Sequence, residues 1–515
     1  MILTNLKEKF STLRKVLKFV YGKYTGLAVV RDILFLIATF SEIYGITVLG
    51  KFIDETTQIL LNWKEFDISQ YLVTESFFYL VLILVLWILV AICNNIREYI
   101  YNAIYEKVWE DTQYLIISKV STSNLQDVEK DEYQDKVTYS PAFSIVRIIW
   151  SYDNFSIILS NTIRLISAIF IIFNTMGWSV LFLVVIVLPE IFAVHIRRKE
   201  IRDYLDKGIG KIRYLNYIQN LSLTISNFLE LRVNNIYSHL KRKYLMEYDE
   251  YVHGYMQTQA SFYKDKITTS IFGQILKFLY VIYVLSFSIV KGISFGSFKA
   301  LYDYVDVTYN SVFNILNSLS LISVNLGYIN KFFDLMEYEG FGDHHHGEIK
   351  LTKETPKLEF KNLSFAYPDD PGTKILKNLN IEVNPGEKVA FFGGDGSGKS
   401  TTVKILTGLY PVDSGEYLLG GNLTKDLDRG ELKKQLSVAF QDFVNYHFSL
   451  KENIVISGQR INVDSDLYKE VSQISGVDNF KKIVHVDDAS ILGKTFAGGK
   501  ELSPGYWQRL AIARM

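Results

Sequence analysis

Eight consecutive residues, Gly393, Gly394, Asp395, Gly396, Ser397, Gly398, Lys399 and Ser400, follow the pattern G-x-x-x-x-G-K-[ST], and no other stretch restricts the fold as much. The apolar residues 388–392 (K-V-A-F-F) predict a buried strand ahead of this loop. Residues 401–409 (T-T-V-K-I-L-T-G-L) predict a helix behind it. Strand, glycine loop and helix in that order make a phosphate-binding loop. Gly396 and Gly398 let the backbone curl so that successive N–H groups face one anion, and the helix N-terminus adds partial positive charge. Lys399 then reaches the β- and γ-phosphates of a nucleoside triphosphate, Ser400 holds its magnesium ion, and Gly393, Gly394, Asp395, Ser397 and Thr401 complete the cradle.

Hydropathy places the rest of the chain. A mean hydropathy of +0.12, with 49% hydrophobic residues, exceeds what a water-soluble chain of 515 residues carries, so a membrane portion is expected. A span needs about 20 mostly apolar residues. Six are predicted: residues 26–50, 76–93, two within 155–189 joined by a turn near 174–178, 268–290 and 297–326. Six basic residues precede the first span, and Arg197, Arg198 and Lys199 follow the fourth. That bias puts the N-terminus and the two long connections, 94–154 and 195–266, in the cytoplasm. The connections keep helical periodicity, as in Tyr214, Ile218, Leu221 and Ile225, and are expected to extend the membrane helices into the cytosol.

Several classes are excluded. Lysine plus arginine equals aspartate plus glutamate at 55 each, which gives no case for nucleic acid. The sole cysteine, Cys93, lies in an apolar run and reads as a core thiol. The first 23 residues have no uninterrupted apolar core, so no cleavable signal peptide is expected. Residues 338–356 turn polar and glycine-containing and read as a linker; His344, His345 and His346 within it read as a solvated tract rather than a metal site. Arg31, Asp32 and Glu42 interrupt the first span and are expected to face a water-filled cavity or an interface. Asp303 and Asp306 are candidates to line a pathway.

Beyond the linker, Leu379, Ile381 and Val383 alternate as a strand, a second β-rich stretch at 416–419 leads to 436–440, and 464–483 reads as helical. With Tyr367 in S-F-A-Y-P, Gln441 in F-Q-D-F, and L-S-P-G-Y-W-Q-R-L-A-I-A-R at 502–514, the chain resembles an ABC transporter of the exporter type. The wording of these motifs is most similar to peptide and lantibiotic exporters, and lipid and drug exporters share much of it, so the substrate stays open among a peptide, a lipid and an amphipathic small molecule. The resemblance implies a multidomain membrane protein: an all-α six-helix transmembrane domain at 1–337, the linker, and an α/β P-loop NTPase domain at 357–515. It implies that Tyr367 stacks on the adenine of ATP, Gln441 senses magnesium and the γ-phosphate, and Ser503 and Gly505 cap the γ-phosphate held by a partner's loop. The partner is a second half-transporter, a copy or a different chain, alongside membrane lipids and a transported substrate. The protein would be multi-pass in the plasma membrane, with its nucleotide-binding domain cytoplasmic. Coupling helices are implied near 127–135 and 225–231.

Two departures accompany the resemblance. Pro504 and Tyr506 replace residues of the usual L-S-G-G-Q; Pro504 removes one N–H donor, yet Ser503 as N-cap before a proline is a good helix start. The family's catalytic glutamate follows the signature helix and does not occur by residue 515, so the sequence is expected to be part of a longer reading frame, ATP hydrolysis belonging to the full-length form. A non-transporting ATP-binding regulator and an importer with the exporter fold stay open as alternatives.

Overall fold

The computed structural model describes residues 2–61, 68–183, 185–186, 197, 200–201, 203–205, 207–338, 347–351, 356–368, 370–428, 436–456 and 465–515. They form two compact units, one of residues 1–122 and 131–338, the other of residues 123–130 and 339–515.

The first unit is built from the helices α1 (Ile2–Leu61), α2 (Glu75–Thr122), α4 (Asp131–Met176), α5 (Ile209–Leu223), α6 (Phe228–Val233), α7 (Ile236–Lys291) and α8 (Phe295–Met336); the short α3 (Leu125–Val128), between α2 and α4 in the chain, belongs to the second unit. At 1.5 Å per residue, the 42 residues of α8 span about 63 Å, twice the thickness of a hydrocarbon layer. The helices therefore continue well past any membrane. Helix α1 bends at Tyr24, whose φ of −122° and ψ of 32° leave the helical region, separating the basic N-terminal segment from the apolar one. Large apolar side chains such as Phe78, Trp87, Phe278 and Val290 are exposed, as expected where lipid replaces water.

Five helices among the described residues are long and apolar enough to cross a membrane. Six were expected. The turn predicted between 174 and 178 falls at Gly177, at φ +61°, where α4 gives way to a short 3-10 turn. Residues 184 and 187–189 of the fourth span lie outside the described residues, as do Arg198, Lys199 and the three histidines of the linker.

Among the charges of the first span, Arg31 corrects the sequence reading. Arg31 is 1% exposed and, far from facing water, donates to Asp153 of α4 and to Ser156 Oγ at 3.1 Å. Asp32 accepts hydrogen bonds from Tyr21 and from Ser156 at 3.0 Å. Glu42 pairs with Arg164 of α4. Burial of a charge is tolerated only with a partner, and α4 supplies one for each. Asp303 pairs with Lys299 one turn back, while Asp306 pairs with Lys277 of α7.

In the second unit, β1 (Leu358–Ala366), β2 (Lys374–Val383), β3 (Ser414–Leu419) and β4 (Asn422–Leu423) form an antiparallel sheet in the order β2-β1-β3-β4. Phe360 lies opposite Ile381 on one side and Tyr417 on the other, and Leu363 lies opposite Leu379. These inward residues, with Phe365, Leu376, Tyr410 and Ile405, form the core against helix α9 (Lys399–Leu406). Burial pushes the Tyr417 hydroxyl well above its usual range, and it donates to Leu406 O at 3.0 Å. A separate helical layer follows: α10 (Leu450–Val455), α11 (Ser465–Ile474), α12 (Val477–Val484) and α13 (Pro504–Ala513), packed around Phe480, Leu492, Trp507 and Leu510.

Residues 388–392 differ from expectation. They pair with no strand among the described residues, and Val389, Phe391 and Phe392 are 46%, 39% and 93% exposed. Residues 436–440 form no strand either. A strand in a parallel sheet takes its hydrogen bonds from neighbours that arrive from distant segments; an apolar run by itself does not secure them.

Candidate phosphate-binding site

The glycine loop adopts the curl its sequence demands. Gly396 and Gly398 have φ of +75° and +86°, a region open to glycine. Gly398 has no room for a side chain either, because a Cβ there would lie 2.7 Å from Leu376 Cδ2. Helix α9 begins at Lys399, slightly earlier than the run 401–409 suggested, and ends where Gly408, at φ +70°, donates to Ile405 O. Its first N–H groups lack intrahelical acceptors and point along the helix axis toward the loop.

Lys399 crosses the mouth of the loop. Its ammonium donates to Gly393 O at 2.8 Å, Gly394 O at 2.7 Å and Ser397 Oγ at 3.2 Å. A flexible cation held by carbonyls beside exposed helix N–H groups suits the phosphate chain of a nucleotide, whose oxygens offer stronger acceptors than amide carbonyls. Ser400 is exposed, and its hydroxyl fits a ligand to a magnesium ion brought with those phosphates. Asp395 is exposed on the loop as well.

Tyr367 comes to this site from the end of β1. Its hydroxyl lies 3.0 Å from Thr401 Oγ1 in the first turn of α9. Its ring meets Phe365 edge-on at 5.2 Å and Tyr410 at 5.4 Å, and the Lys404 ammonium stands 5.5 Å over it. Lys404 was not singled out from the sequence. Its spacing of three residues from Thr401, on one helix face, is the signal that would have found it.

The remaining residues stand apart. Gln441 is exposed, and no described interaction joins it to the loop. Ser503 is the N-cap of α13 with Pro504 in the first turn, and its carbonyl accepts from Tyr506 N at 2.9 Å and Trp507 N at 3.1 Å. The Ser503 side chain makes no capping bond and is exposed, and among the described residues no atom outside the local helical turn lies within 4 Å of a Cβ built on Gly505. Both therefore face open space. Arg514, at the end of the same helix, has its pKa lowered by burial; its guanidinium lies 4.6 Å from the Tyr446 ring and donates to Val444 O at 2.9 Å.

Comparison with known proteins agrees with this geometry. The family model described as ABC transporter matches residues 376–515. The chain is 28% identical over 438 residues to the subtilin transport ATP-binding protein SpaT of Bacillus subtilis, covering 82% of this chain and 68% of that one. It is 24% identical over 447 residues to the nisin transport ATP-binding protein NisT of Lactococcus lactis subsp. lactis, covering 84% and 72%. Its fold matches a bacterial Atm1-family ABC exporter solved with ATP bound, at a TM-score of 0.76 and 17% identity over 95% of this chain and 83% of that one. Fold and site thus define an ABC transporter domain joined to a membrane-type helical unit. As a whole the chain is similar to transport ATP-binding proteins and has the fold of an ABC exporter.

Proposed function

We propose that the protein is an ATP-driven exporter subunit for a peptide-type or other amphipathic substrate, working as a dimer with a second half-transporter in the plasma membrane. The observation that carries this reading is the Lys399 loop at the head of α9 in a chain with five apolar helices of spanning length among its described residues. Its relatives named for subtilin and nisin transport support the substrate class.

In this reading Gly396, Gly398 and the first N–H groups of α9 cradle the phosphates of ATP. Lys399 releases the carbonyls of Gly393 and Gly394 to meet them, and Tyr367 stacks on the adenine. Ser400 and Gln441 would hold the magnesium ion that accompanies ATP, and that ion would supply positive charge to offset the phosphates. Ser503 and Gly505 present a hydroxyl and a backbone N–H to the nucleotide of the partner. ATP binding favours the paired arrangement of the two nucleotide-binding domains, and hydrolysis releases it, so the membrane helices are driven between two states by differential contacts.

Lys399→Ala tests the reading in two stages. Loss of a charge-assisted contact should weaken ATP binding by about 10- to 100-fold and abolish ATP-dependent uptake into inverted vesicles. Unchanged ATP affinity would refute the site; ATP binding without any substrate movement in the unsubstituted protein would refute the transport role.

A further inference from the structure

Residues 123–130 pack with the nucleotide-binding unit although the chain on either side of them belongs to the helical one. Leu125 enters the aromatic core beside α9, and Gln126 and Asp127 are buried. Glu129, which ends α3, accepts a hydrogen bond from the hydroxyl of Tyr410 and lies 3.8 Å from the Lys404 ammonium. Tyr410 is itself 2% exposed, so its hydroxyl depends on partners inside the protein.

Lys404 is the shared element. Its ammonium stands 5.4 Å over the Tyr410 ring and 5.5 Å over the Tyr367 ring, while the two rings meet at 89°. A cation over one ring face withdraws electron density from that ring and suits its other face to an electron-rich purine. The same cation is pulled by the Glu129 carboxylate. We propose that Glu129, Lys404 and Tyr410 are positioning residues that report occupancy of the base-binding ring, Tyr367, to the segment 123–130. The inference rests on the ATP reading above and adds a base-specific route to it. Because coupling between two sites is reciprocal, the free energy with which the base favours one arrangement of the segment is the free energy with which that arrangement favours the base.

The discriminating probe is a ligand with the phosphates and no base. In the full chain in lipid nanodiscs, affinities for ATP and for inorganic tripolyphosphate are compared in the unsubstituted protein, Glu129→Gln, Tyr410→Phe, Lys404→Met and Lys404→Arg. Cation–ring contacts and half-exposed ion pairs of this kind are worth about a three- to fivefold change. Glu129→Gln, Tyr410→Phe and Lys404→Met should weaken ATP by that factor and leave tripolyphosphate unchanged, and Lys404→Arg should restore ATP binding. In a Cys93→Ser background, maleimide labelling of Val128→Cys should slow by a similar factor with ATP and not with tripolyphosphate, and Glu129→Gln should erase the difference. Equal effects on both ligands, or labelling that follows both alike, would overturn the inference while leaving the ATP reading intact. Failure of the unsubstituted chain to bind ATP would overturn both.

Discussion

Gly296→Ala and Gly327→Ala make the same chemical change on one helix and should have opposite effects. A Cβ on Gly296 would lie 1.9 Å from the carbonyl oxygen of Gly50 and 2.7 Å from Asp54 Cγ. An ordinary contact is about 3.5 Å, so α1 and α8 would have to part by about 1.5 Å at this crossing. Backbone cannot step aside as a side chain can. The parting would pull Gly296 N from Asp54 Oδ1, now at 2.7 Å, and disturb the 2.6 Å bond from Ser294 to the same carboxylate. Overpacking costs about 1–3 kcal/mol and a hydrogen bond to a charged group about 1.5–3 kcal/mol, for a loss of about 3–5 kcal/mol. Among the described residues, no atom outside the local turn of α8 lies within 4 Å of a Cβ on Gly327, in the interior of that helix. There alanine should gain about 0.5–1 kcal/mol from reduced chain entropy. Thermal unfolding of the detergent-solubilised chain, followed by loss of the monodisperse species, reads both. Gly296→Ala should lower the midpoint by several degrees and Gly327→Ala should hold or raise it. If Gly296→Ala unfolds with the unsubstituted protein, close backbone approach does not limit this crossing.

Two further outcomes follow from the geometry. Ser449 and Glu452 form a capping box at the start of α10, and the bonds from the Ser449 hydroxyl and N–H hold the Glu452 carboxyl below its usual pKa. A depressed folded pKa stabilises above the unfolded value and is lost as pH falls through the folded one, so stability from this cap should decline as pH drops below about 4.5; Ser449→Ala should cost about 1 kcal/mol at neutral pH and remove that part of the acid dependence in an unfolding titration. Arg31→Met should destabilise by about 2–3 kcal/mol because it strands Asp153, and adding Asp153→Leu should recover most of the loss in a double-mutant cycle; additive losses would show that the pair is not coupled.

Local features were legible because neighbours along the chain decide them. The glycines of the loop, the Ser503 and Pro504 helix start and the break at Gly177 each follow from allowed backbone angles and orphan N–H groups at one place. The charged pairs of the first unit were harder to read. Arg31 and Glu42 stand 11 residues apart on α1, and their partners Asp153 and Arg164 stand 11 apart on α4, so a matched spacing was present in the sequence. Recognising it required knowing that the two helices lie side by side in the same direction. The Thr39 to Ser160 hydrogen bond at 2.7 Å lies between the two pairs, one residue off their common separation of 122.

What the sequence by itself determined is the curled glycine loop, the apolar helices and the motif order that points to an ABC exporter, since each depends on residue type at short spacing. What only the tertiary structure decided is which charges meet, that Lys404 stands over Tyr367 and Tyr410, that Glu129 joins them, and that residues 388–392 are exposed among the described residues instead of buried in a sheet. Those outcomes depend on which distant segments arrive beside a residue. Burial and pairing energies are set by those neighbours and are not written in the residue's own stretch of chain.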